Sequence, residues 1–115
     1  MSPTINELDV KTCYNKIIEE NAILIDVREI DEVEGVSYNV PNRIHIPLST
    51  FEKNIGQIPQ DKLLIIACRR GIRSYDVTNY LSQINFKNVY NLKGGIIEWA
   101  QEQLPINGDI NRAFH

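Results

Sequence analysis

Two cysteines in 115 residues, Cys13 and Cys68, are too few to staple a fold, so the chain must stand on an ordinary core, with both thiols free in a reducing compartment. Long apolar runs are missing as well. Nothing approaches the roughly eighteen consecutive residues of a membrane span, and the opening Met1-Ser2-Pro3-Thr4-Ile5-Asn6-Glu7 lacks the basic and then apolar stretches of a secretion signal. The expectation is a cytoplasmic protein without a membrane partner. Excess positive charge is absent too: at a net −3 the chain has no general attraction for nucleic acid. Internal repeats, low-complexity stretches and Gly/Ser/Pro linkers are not found, which leaves residues 1–115 as one domain of a size that buries a single core. The 43% hydrophobic and 23% charged content fits a packed globular chain.

What is present is an alternation. Ala22-Ile23-Leu24-Ile25-Asp26 and Leu63-Leu64-Ile65-Ile66-Ala67 are short continuous apolar runs, the pattern of strands covered on both faces, with weaker candidates at Asn88-Val89-Tyr90 and Arg43-Ile44-His45-Ile46. Between them, Val10, Cys13, Tyr14, Ile17 and Ile18 recur at helical spacing behind Asp9 as N-cap. Val77, Tyr80, Leu81 and Ile84 form a second stripe, and Ile96, Ile97, Trp99 and Ala100 a third, opened by Gly94-Gly95. Such a chain predicts an α/β fold with a mostly parallel sheet and helices on both faces, whose ligand site lies beyond the carboxyl ends of the strands. Asp26-Val27-Arg28, Cys68 to Arg73 and Asn91 to Gly95 each follow a strand and would meet at that edge.

One of these segments is chemically distinctive. Three of the twelve Lys and Arg residues, Arg69, Arg70 and Arg73, fall within positions 68 to 73 beside Cys68, a small anion-attracting spot on an acidic molecule. A cysteine between a buried strand and a helix start is placed to act as a thiolate, since the helix N-terminus and free backbone N–H groups favour negative charge. Gly71 lets the loop curl so that successive N–H groups point into its centre. The bland alternative, a buried structural cysteine, fits poorly beside three arginines and a glycine.

Taken in order, Asp26-Val27-Arg28, an acidic Glu32, the stretch Val40-Pro41-Asn42-Arg43-Ile44-His45-Ile46-Pro47-Leu48, the loop Cys68-Arg69-Arg70-Gly71-Ile72-Arg73-Ser74, and Gly94-Gly95 ahead of Trp99 resemble a single-domain rhodanese-like sulfurtransferase over nearly the whole chain. The resemblance implies a central five-stranded, mostly parallel sheet. It also implies transfer of a sulfane sulfur from a small anionic donor such as thiosulfate, through a persulfide on Cys68, to a thiol, protein thiol or cyanide acceptor, without a metal or organic cofactor. A protein persulfide or glutathione persulfide would be attracted as well. Covalent catalysis by one activated cysteine suits this chemistry, and N–H groups aimed at the sulfur would stabilise the anionic intermediate. Arg73 is expected to brace the loop through a carboxylate or carbonyls, Arg69 and Arg70 to attract the donor at the rim, and Gly71 and Ile72 to line the substrate site. Asp26, Arg28, Ser74, Gly94 and Gly95 are expected as supports. Where such domains carry Gly-His before the Ile-Pro stretch, this chain has Tyr38-Asn39, so a different connection is expected over Glu34 to Asn42, with a bearing on substrate choice.

Cysteine phosphatases and arsenate reductases of related architecture are the nearest enzymatic rivals. They place five residues between Cys and Arg, whereas four separate Cys68 from Arg73, a tighter ring better suited to sulfur than to phosphate. A sulfide-sensing or purely docking module is the non-enzymatic rival, disfavoured by the intact Cys68. Other conspicuous residues have plainer roles. Cys13 belongs to a core stripe rather than acting as a resolving thiol, and Trp99 is a core aromatic. Asp26-Val27-Arg28 could be an exposed ion pair at a strand end that positions the loop. His45 has no partner at ligand spacing and His115 ends the chain, so no metal site is expected.

Overall fold

The computed structural model describes residues 6–114; His115 lies outside them. The chain runs through β1 (Glu7–Leu8), α1 (Val10–Glu19), β2 (Ile23–Asp26), α2 (Ile30–Gly35), β3 (Val36–Tyr38) and β4 (Arg43–His45). Two 3-10 turns, Leu48–Thr50 and Glu52–Gln57, lead to β5 (Leu64–Ala67), α3 (Ile72–Gln83), β6 (Val89–Leu92), α4 (Gly95–Gln101), β7 (Ile106–Gly108) and a last 3-10 turn, Ile110–Phe114. Five strands form one sheet in the order β1-β6-β5-β2-β4, every pairing parallel. This is the α/β architecture that the alternating pattern predicts, with the five strands that the resemblance implies.

The continuous apolar runs form the centre of the sheet because both faces are covered. Leu24 and Ile65 point to one side, into a core with Val10, Cys13 and Ile17 of α1 and Ile96 and Trp99 of α4. Ile25, Leu64 and Ile66 point to the other, against Val77 and Leu81 of α3 and the flanking Phe51, Ile58 and Phe86. Helix α1 starts as its sequence dictates: Asp9 Oδ1 accepts the Thr12 N–H at 2.7 Å, satisfying an otherwise orphan donor. The apolar stripes are wider than the buried strips beneath them, and Ile18 and Tyr80 lie at the exposed margins of α1 and α3.

The connection around Tyr38 is where the chain builds something the periodicity does not announce. Residues 36–38 leave α2 as a short strand and pair antiparallel with β7, Val36 opposite Gly108 and Tyr38 opposite Ile106. This two-stranded ribbon drives Tyr38 into the core, where it meets Trp99 edge to face at 5.1 Å. The Trp99 indole N–H donates to Pro105 O at 2.7 Å, tying α4 to the segment that leads into β7.

Candidate active site

The strand order brings the carboxyl ends of β2, β5 and β6 side by side, and the three segments singled out in the sequence converge there. Strand β5 stops at Ala67 and α3 begins at Ile72, with Gly71 at its N-cap in the left-handed region, φ +88°. That reversal curls the backbone around the Cys68 sulfur. Cys68 Sγ receives the Gly71 N–H at 3.1 Å and the Ser74 N–H at 3.4 Å, and Ser74 Oγ lies 3.2 Å away. The residue is 1% exposed, so these groups rather than water surround the sulfur, and the two N–H donors favour negative charge on it.

Ser74 carries one hydroxyl proton and faces two acceptors. It donates to Asn91 Oδ1 at 2.6 Å in the structure, and Asn91 Nδ2 in turn donates to Gly71 O at 3.1 Å and to Glu7 Oε2 at 2.8 Å. With Ser74 committed to Asn91, a Cys68 thiol donates its own proton to Ser74 Oγ; a thiolate instead leaves that oxygen free to turn its proton to sulfur. Asn91 therefore links the sulfur cradle to β1 and holds the loop from inside the sheet. The sequence places Asn91 at the start of a segment that follows a strand; it lies instead inside β6, where a buried asparagine needs partners.

The outer side of the loop is stitched to its neighbours. Cys68 O accepts the Tyr38 hydroxyl at 2.7 Å and the Ile96 N–H at 3.0 Å, and Arg69 O accepts the Ile97 N–H at 3.2 Å. Burial pushes the Tyr38 phenol well above its ordinary pKa, with the Asp26 carboxylate adding to the effect, so it stays a neutral donor. Helix α4 can approach so closely only because Gly95 has no side chain: a Cβ there would stand 2.1 Å from Arg69 O. Gly94 and Gly95 thus shape the loop by backbone contact, while Tyr38, at the position expected to alter the local connection, is one of its anchors.

The arginines divide differently from the expectation for the rim. Arg73 makes a two-pronged pair with Glu32, NH1 to Oε2 and NH2 to Oε1 both at 2.8 Å, joining the first turn of α3 to α2. The hydrogen bonds from Arg73, helped by the Glu29 N–H, outweigh partial burial and hold the Glu32 carboxyl down at about 2. Arg69 is not a free rim cation: its Nε donates to Ala113 O, and its guanidinium lies 5.6 Å from the Phe114 ring. Arg70 remains exposed, 5.9 Å from the same ring. Asp26 and Arg28 are buried at 0% and 1% exposure, correcting the picture of an exposed strand-end pair. Arg28 meets Asp26 through Nε and, at 2.8 Å, through NH2, while His45 Nε2 lies 2.6 Å from Arg28 O. Such a fully paired buried charge fixes the wall of the site and is a structural rather than a reacting element. Cys13 is buried on the far core, where desolvation pushes its thiol up to about 12.

Cys68 lies at the floor of a cavity of about 250 Å³ lined by Arg69, Arg70, Ile72 and Arg73. Ile72, 69% exposed, gives its mouth an apolar edge. Among the described residues no group of three His, Cys, Asp or Glu could hold a metal ion. The arrangement offers one buried sulfur nucleophile, fixed anion-stabilising dipoles around it and cations at its entrance.

Comparison with known proteins gives the same outline. Residues 9–102 match the family model described as a rhodanese-like domain. The chain is 35% identical to a sulfurtransferase of Allochromatium vinosum over 89% of its own length and 94% of that protein's. It is 36% identical to the putative sulfurtransferase YtwF of Bacillus subtilis over 90% and 98%. A crystal structure of a rhodanese-related protein from Thermoplasma volcanium superposes with a TM-score of 0.80 at 28% identity, covering 90% of this chain and 99% of that one.

Proposed function

Since the chain belongs to the family of rhodanese-like domains, we propose that it is a sulfurtransferase in which Cys68 carries the transferred sulfur as a persulfide. The observation that supports this most is the cradle: a sulfur 1% exposed, met by the Gly71 and Ser74 N–H groups and the Ser74 hydroxyl, at the floor of an arginine-mouthed cavity. With thiosulfate as donor, the Cys68 thiolate attacks the outer sulfur, the S–S bond of the donor breaks and sulfite leaves with the bonding pair. Cys68 is left as Cys–S–S⁻. In the second step an acceptor thiolate or cyanide attacks the terminal sulfur, and the Cys68 thiolate is regenerated. Charge balances at each step and no external oxidant is needed.

The fixed N–H groups act on both half-reactions, because negative charge lies on or next to Cys68 Sγ before and after each transfer. Arg73 serves through Glu32, fixing the start of α3 and so the Ser74 N–H. Arg70 adds long-range attraction for the anionic donor. Thiosulfate as the donor, a cytoplasmic setting and the whole of residues 1–115 as one working unit belong to this proposal; two unpaired cysteines suit a reducing compartment. The four-residue spacing between Cys68 and Arg73 sets it against phosphate-ester chemistry. Turnover of thiosulfate and cyanide to thiocyanate, followed for the parent chain and Cys68→Ser, tests it: the parent turns over and the variant does not. Full activity of Cys68→Ser, or hydrolysis of an aryl phosphate in place of sulfur transfer, would remove the proposal.

A further inference from the structure

Beside the cavity that holds Cys68 lies a larger one, of about 610 Å³, and the two share Arg69 and Arg73 as walls. The smaller lies below the usual range of roughly 300–1,000 Å³ for small-molecule sites, and the larger lies within it. An inorganic anion such as thiosulfate has no use for the second space. Arg112, Asp31, Arg28 and Glu32 also line the larger cavity. Arg28 and Arg73 already have carboxylate partners in Asp26 and Glu32. Arg112 and Asp31 form no ion pair among the described residues, and both are exposed to the cavity side of the surface. Arg112 is held there by packing: a Cβ on the buried Gly35 would come within 3.0 Å of its Cβ, and its own N–H donates to Asp109 O at 2.9 Å.

An unpaired cation and an unpaired anion lining one cavity, next to the cavity that holds a sulfur nucleophile, match a ligand that carries both charges. We infer that this cavity seats the α-amino-acid end of a small organic thiol, which takes the sulfur from the Cys68 persulfide while its carboxylate meets Arg112 and its ammonium meets Asp31. The inference rests on the sulfur-transfer reading of Cys68. In the step, the thiolate R–S⁻ attacks the terminal sulfur of Cys68–S–S⁻, the Cys68 S–S bond breaks, and R–S–S⁻ and the Cys68 thiolate result. Because Arg69 and Arg73 line both cavities, a ligand seated in the larger one lies directly beside the one that holds Cys68.

Two measurements on the full chain test this. S-methylglutathione, which keeps the amino-acid end but has no reactive thiol, is titrated calorimetrically into the sulfur-free protein. Saturable binding is expected, weakened about tenfold by Arg112→Ala, the effect of losing one partly exposed charge-assisted hydrogen bond, and partly restored in Arg112→Lys. Asp31→Asn should weaken it as well. With thiosulfate as donor, Arg112→Ala should raise KM for glutathione by a similar factor while leaving kcat, and the rates with 2-mercaptoethanol and cyanide, unchanged. No binding of S-methylglutathione, or an equal loss with every acceptor, overturns the inference. A protein that takes up no sulfur at Cys68 overturns instead the reading beneath it, and the titration still reports on the cavity by itself.

Discussion

Glu32→Gln replaces one oxygen in the brace that joins α2 to α3, and its consequences follow from the geometry. The carboxylate accepts both prongs of Arg73 at 2.8 Å, and Oε2 also accepts the Glu29 N–H at 2.9 Å. An amide has a single acceptor oxygen, so its NH2 must face either an arginine N–H or the Glu29 N–H, donor against donor. The native carboxyl is held at about 2, against 4.5 for the free group, chiefly by the hydrogen bonds from Arg73. A depressed carboxylate pKa contributes stability that is present in full above the unfolded value and is lost as pH falls towards the folded one. Linkage caps that contribution at about 3 kcal/mol, and screening of a pair whose side chains are 34% and 28% exposed reduces it to about 1–2 kcal/mol. Thermal melts at pH 7 should place Glu32→Gln roughly 4–8 °C below the parent. That gap should narrow between pH 4.5 and pH 2, within the range where both proteins remain folded. Because Arg73 is one residue from Ser74, kcat/KM for sulfur transfer at pH 7 should drop about five- to tenfold, as expected if roughly 1 kcal/mol of loop positioning is lost. An equal melting temperature at pH 7, or a gap that stays constant through the acid range, would refute this assignment of Glu32.

Tyr38→Phe keeps the ring against Trp99 but removes the hydroxyl bond to Cys68 O, which still has the Ile96 N–H; melting should fall by an amount equivalent to about 1 kcal/mol, with a loss in kcat of about fivefold, and unchanged kinetics would show the bond to be idle. Gly95→Ala would set a Cβ against the Arg69 backbone at a positive φ of +64°, so a destabilisation of about 2–4 kcal/mol and loss of turnover are expected in calorimetry and assay, and a parent-like melt would contradict the close approach. Arg70→Ala should weaken thiosulfate use a few-fold at low ionic strength, through KM, with the difference fading as salt is raised; a salt-independent loss would place Arg70 in direct contact with the donor instead.

Much of the fold and of the site is legible in the sequence. Strands β2 and β5 announce themselves because both faces are buried, which turns their sequences into unbroken apolar runs, and the chemistry-bearing loop stands between β5 and a helix start. The parts that were not legible are short or depend on distant partners. Strand β1 is two residues long, and the β3–β7 ribbon pairs segments about seventy residues apart, so no local periodicity marks either. Tyr38 was visible only as a departure from the family pattern, since its role depends on that ribbon turning it towards Cys68 O. Asp26 and Arg28 read as a polar strand end because sequence gives no measure of how loops close over them. Arg69 read as a rim cation because its partners, Ala113 and Phe114, come from the opposite end of the chain.

The central claim is that the sulfur in transit is carried by Cys68, held by the N–H groups of Gly71 and Ser74. Intact mass spectrometry after incubation with thiosulfate and removal of excess donor tests it most directly. The parent chain and Cys13→Ser should each gain the mass of one sulfur, and cyanide should then remove it, while Cys68→Ser should gain none. Sulfur retained on Cys68→Ser, or turnover by the parent chain with no sulfur ever found at Cys68, would contradict the account.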